Sequence, residues 1–140
     1  MRALPPASNS VVGPQGVDYE RISELLIEMG EEFHKLGFPK VLEDIESDGR
    51  IGQAARNPRD RDSRRLIGVF LKDIARELVK EQADLRRHAQ VQPGPQGSGP
   101  RVTFPQTPAG VKMAKAYVGV LHAKQLLDAT WSAIRGAVDD

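Results

Sequence analysis

A chain of 140 residues with 39% apolar content can fill one modest core, and with aromatics at only 5% that core falls to Leu, Ile, Val and Ala, which favours helices packed on helices over a sandwich or barrel. The absence of cysteine excludes disulfides, thiolate catalysis and Cys-ligated zinc together, and no apolar run reaches the roughly 18 residues of a membrane span. The formal net charge of +1 conceals a polarity: residues 17–49 carry ten acidic and three basic side chains, residues 50–90 eleven basic and six acidic. Opposite signs in adjacent thirds either close on each other within one fold or make a subunit whose one face attracts another copy's opposite face.

In chain order, residues 1–16 contain Pro5, Pro6, Gly13, Pro14 and Gly16 with almost nothing to bury. They read as a flexible arm that orders only against a partner. The stretch has no apolar run of a signal peptide, so a cytoplasmic protein, or part of a virion assembled there, is expected. Asp18 then caps a helix over 19–36, whose Ile22, Leu25, Leu26, Met29, Phe33 and Leu36 recur at steps of 3 and 4. Gly37 is placed to stop it with Phe38 folding back, and Pro39 opens a shorter helix to about Ser47 with Val41, Leu42 and Ile45 inward. The outer face of the first helix, with Glu20, Glu24, Glu28, Glu31 and Glu32, is either solvated or a contact for a basic partner.

Residues 50–57 read as a connector with at most a helical turn. Asn57, Pro58 and Asp60 suit the start of a long helix over 58–89, with a start near Asp62 or Ser63 as the alternative. Its apolar positions are Leu66, Ile67, Phe70, Leu71, Ile74 and Leu78, and Asp73 can pair with Arg76 along its surface. At 1.5 Å per residue such a helix is about 48 Å long, more than a core of this size needs, so projecting ends are expected. Residues 91–106, with four prolines and three glycines, form a linker in which Val102, Thr103 and Phe104 can add as a strand to a neighbour. A linker of this reach frees the last helix to pack elsewhere or to exchange with another subunit.

That last helix, over 107–138, has Thr107 as its cap and Pro108 at its first position. It carries two apolar stripes. Val111, Ala114, Tyr117, Val118 and Leu121 lie on one side of its first half. Met113, Val120, Leu127, Trp131, Ile134 and Val138 lie on another, running to its end. The first stripe is expected to pack in the helix's own domain and the second to form a subunit interface.

The chemistry-bearing residues are sparse. Arg56, Arg59, Arg61, Arg64 and Arg65 form the strongest cluster, suited to a phosphate backbone or an acidic partner, but Asp60 and Asp62 interrupt it and no aromatics are interleaved for base stacking. His34, His88 and His122 lack metal-ligand spacing. The 94–99 run (GPQGSG) has no following lysine and does not cradle phosphate. Adjacent acids such as Glu31 and Glu32, Glu43 and Asp44, or Asp139 and Asp140 diverge by about 100° on a helix and cannot flank one substrate.

The expectation is therefore an all-α protein: a small bundle of about four helices, with a flexible arm (1–16), a helical domain (17–90), a Pro/Gly-rich linker (91–106) and a long C-terminal helix (107–140) packing on the domain or on a neighbouring subunit. The expected role is a non-enzymatic structural or adaptor subunit of a larger assembly, with itself and other assembly proteins as partners, no membrane and no cofactor. A virion component such as a head–tail connector protein is the specific form. The alternative is a small nucleic-acid-binding or packaging protein using the arginine cluster.

Overall fold

The computed structural model describes residues 10–138. Residues 1–9 of the expected arm and the pair Asp139 and Asp140 lie outside it. Among the described residues the fold is mostly helical, with five helices and two small antiparallel hairpins. Among the described residues no helix is long and apolar enough to cross a membrane.

Helix α1 (Tyr19–Lys35) starts where the Asp18 carboxylate accepts the amide of Arg21 at 3.2 Å. It ends in a Schellman motif: the Phe38 amide donates to the Phe33 carbonyl at 2.9 Å and the Gly37 amide to that of His34 at 3.1 Å. Gly37 sits at φ +97°, which a side chain resists. The rings of Phe33 and Phe38 close the turn at 6.1 Å between centroids. Helix α2 (Pro39–Glu46) follows directly, turned back on α1.

The expected connector is a helix of its own, α3 (Arg50–Arg56), because Ala54 and Ala55 are small enough to bury its inner face against α1 and α4. The bundle thus has five helices where about four were expected. Helix α4 (Arg61–Arg86) begins at an Asp60 cap, whose carboxylate accepts the Ser63 amide at 3.0 Å. Asn57 and Pro58 stand outside it. Its 26 residues span about 39 Å, shorter than expected by a turn at the start and about one at the end.

The linker is also structured. After α4, β3 (Gln90–Gln92) pairs with β4 (Arg101–Thr103), Val91 opposite Val102, so the strand expected to join a neighbour joins its own chain. This hairpin returns the chain beside α4, and α5 (Pro108–Val138) runs back antiparallel along it, from Tyr117 beside Arg86 to Trp131 beside Lys72. Thr107 caps α5 as expected, its hydroxyl accepting the Gly110 amide at 3.0 Å.

The expected arm is corrected over its described part. Strands β1 (Val12–Gly13) and β2 (Gly16–Val17) form a tight hairpin. Val11, 3% exposed, is buried, and its amide donates to the Ala133 carbonyl of α5 at 2.9 Å. Gly13, Pro14 and Gly16 lie at the turn, and Val11 in the core with Val17 packed against it ties the hairpin to the bundle. The core lies between these elements, with Ile22, Leu26, Met29 and Phe33 of α1 facing Ile67 and Leu71 of α4 and Val120 and Ile134 of α5.

Candidate functional site

Three regions were candidates or become so: the second stripe of α5, the arginine cluster, and a groove the sequence did not signal.

Of the six residues expected at a subunit interface, Val120, Leu127 and Ile134 are buried within one chain at 0%, 4% and 0% exposure. This corrects the expectation. Met113, Trp131 and Val138 are partly buried and pack against the same core. Trp131 lies beside Leu71, Ala75 and Leu127, with the Lys72 ammonium 5.6 Å from its ring centroid. The stripe that runs to the end of α5 is the seam with α4. Val111, Val118 and Leu121, expected in the core, stand in water. Only Tyr117 of that first stripe is buried.

The arginine cluster is not one surface. Arg64 is a structural tie: its Nη1 donates to the carbonyls of Pro58 and Arg59, and its Nε to that of Ala137 at 3.1 Å, where it satisfies a terminal carbonyl of α5 and opposes the helix dipole. Arg59 pairs with Glu20 at 2.8 Å, and the guanidiniums of Arg59 and Arg64 both lie 5.2 Å from the ring centroid of Tyr19. The Arg59 hydrogen bond, with a contribution from Glu20's own backbone, holds the Glu20 carboxyl below its usual range. Arg56 reaches the Ser47 carbonyl at 3.0 Å and the Asp48 carboxylate at 3.6 Å. Arg61 and Arg65 instead line a shallow pocket of about 200 Å³ with Arg64, Lys72 and Val138. The opposite charges of the two thirds thus close on each other at two exposed pairs, each worth little energetically.

A polar network joining α4 to α5 escaped the sequence reading. The phenol oxygen of Tyr117 accepts from Arg86 Nε at 3.0 Å and from Gln82 Nε2 at 3.4 Å, while Lys124 Nζ donates to Gln82 Oε1 at 2.8 Å. Burial raises the phenol's pKa, but the hydrogen bonds from Gln82 and Arg86 and the charges of Arg86 and Lys124 outweigh it, so the net shift is downward. Stability gained from this shift is present above the unfolded tyrosine value of about 10 and fades as pH falls through the lowered folded value. In an alkaline titration followed by phenolate absorbance, an early component is expected that Tyr117→Phe removes. That substitution lowers stability at neutral pH by about 0.5–1.5 kcal/mol, since one hydrogen-bond acceptor is lost. A wild-type titration with no early component, both phenols ionising together, contradicts the network.

The third region is a groove of about 650 Å³ between the end of α1, α2 and α4. Phe33, Phe38, Val41, Phe70, Ile74 and Leu78 make its apolar lining. Its rim carries Asp44, Asp73, Glu77 and Glu81 against one base, Lys40. Lys40 pairs with Asp44 and Arg76 with Asp73, as expected for the latter pair. Among the described residues Glu77 and Glu81 make no ion pair. Hydropathy could not have found the groove, because its residues come from three separate helices.

Among the described residues, no three His, Asp or Glu side chains converge as a metal ion would require. Comparison with models of protein families, with curated proteins and with solved structures finds no match for this chain.

Proposed function

We propose that this chain is a non-enzymatic structural or adaptor subunit that assembles with itself and with other proteins, the outer face of α5 making the contact. The observation that supports this is the row formed by Val111, Ala114, Val118 and Leu121. Spaced by 3 and 4 residues, they share one side of the helix. The valines are 56% and 51% exposed and Leu121 37%. Covering such a side chain is worth about 1.5–3 kcal/mol at full burial, and a contiguous apolar face on a surface helix suits a protein contact. A virion connector subunit is one member of this class.

The nucleic-acid alternative draws on less. Arg56, Arg59 and Arg64 are engaged within the chain, which leaves Arg61 and Arg65 for phosphate. Two cations give little of the counterion release that drives non-specific binding.

The test is the mass of the native chain over a concentration series. The wild type is expected to associate, and Val118→Asp with Leu121→Asp to remain a single copy whose thermal midpoint matches that of the wild type diluted below its association range. A wild type that stays single and instead binds generic duplex DNA, with affinity falling steeply between low and physiological salt, overturns the proposal.

A further inference from the structure

We infer that the groove between α2 and α4 receives the outer face of α5 from a second copy of the chain, so that copies join head to tail. This rests on the assembly reading above and supplies what that reading lacks, the surface that covers the α5 row.

Shape and charge both point to this occupant. The row on α5 falls at i, i+3, i+7 and i+10, the spacing by which an amphipathic helix lays its anchors into an apolar groove. Lys112 and Lys115 are exposed along one edge of the row, and among the described residues neither has an ion-pair partner. The groove offers the complement, an aromatic and aliphatic lining with Glu77 and Glu81 unpaired on its rim. An apolar helix edged with lysine thus meets an apolar cleft edged with carboxylate.

The two surfaces cannot meet within one copy. On α5 the row lies roughly 140° around the helix from Val120, which is buried in the core. The groove opens on a different side of α4 from the one that α5 occupies: Phe70, Asp73, Glu77 and Glu81 line the cleft, while Leu71, Lys72, Gln82 and Arg86 meet α5. An interface between two unlike patches is heterologous, and repeats into a ring if the rotation closes or into a filament if it does not.

Charge reversal tests the pairing on the full chain without touching its core. Glu77→Lys with Glu81→Lys is expected to weaken association about 100-fold or more, and Lys112→Glu with Lys115→Glu likewise, because like charges then face each other. An equimolar mixture of the two variants is expected to regain association, since each groove then faces a complementary row on the other variant. Because the chain has no native cysteine, Val118→Cys and Val41→Cys report the geometry directly. A short bis-maleimide is expected to join the two variants to each other and neither to itself. Val118→Cys joined to its own kind indicates symmetric helix pairing and overturns the inference. So does association unaffected by reversal in the groove. If Val118→Asp with Leu121→Asp still dissociates the wild-type assembly in that case, the assembly reading stands and only the groove is wrong. A wild type that never associates ends both.

Discussion

Ile134→Ala is expected to lower the stability of the isolated chain by about 2–5 kcal/mol, the usual cost of removing three methyl-sized groups from a core that cannot collapse around the void. Ile134 has no exposed surface and lies on the second turn from the end of α5, next to Ala133, whose carbonyl accepts the Val11 amide. The loss belongs to folding and not to association: at temperatures where the variant remains folded, its self-association is expected to match the wild type. Denaturant unfolding monitored by circular dichroism, paired with mass determination at the same concentrations, separates the two. A variant that dissociates, yet unfolds at the same midpoint as wild type diluted below its association range, would return Ile134 to the subunit interface where its spacing first placed it.

Gly52→Ala carries the second large effect, and here even the sign is informative. Within a helix, alanine in place of glycine ordinarily stabilises by about 0.5–1 kcal/mol, and Gly52 is the third residue of α3. A Cβ at this position, however, stands 1.8 Å from the Ser47 carbonyl oxygen and 2.7 Å from its carbon. That backbone has little freedom to withdraw. The Ser47 hydroxyl donates to the Asp44 carbonyl at 2.8 Å and accepts the Gly49 amide at 3.1 Å, and the Ser47 carbonyl accepts from Arg56 at 3.0 Å. Retreat on the other side lifts Ala54 and Ala55 off the core. The expected outcome is destabilisation of at least about 1–3 kcal/mol, the range for forcing extra volume into a packed site. It is read as a lower urea midpoint at constant slope. A raised midpoint would mean that the joint between α2 and α3 is looser than its hydrogen bonds imply.

Much of the helical framework is legible in the residues themselves. Asp18, Gly37, Pro39 and Thr107 each act within a few residues of their own position, as caps, stops or first-turn residues, and the observed helix ends follow them closely. Asp60 is legible only in part, because Asn57 offers the same chemistry three residues earlier. The choice went to Asp60, whose carboxylate meets both the amide and the hydroxyl of Ser63. The hairpins escaped for a different reason. Residues 10–17 and 90–103 have the composition of mobile chain, and their order comes from Val11 packed on the core, and from Phe104 meeting Tyr117 at 5.6 Å between ring centroids, contacts made across more than ten residues of sequence. The arginine cluster was visible as a cluster but not as three internal ties, since the carbonyl of Ala137 that Arg64 satisfies lies 73 residues away.

By itself the sequence determined that this is an all-α chain, where most of its helices begin and end, and that the last helix has two apolar stripes. Those are consequences of a local rotation of about 100° per residue and of caps that act within one turn. Only the tertiary structure decided which stripe is covered. Side chains on one helix face are equally apolar whether a neighbour lies over them or not, and it is the hairpin returning α5 along α4 that buries Val120, Leu127 and Ile134 and leaves Val111, Val118 and Leu121 in water.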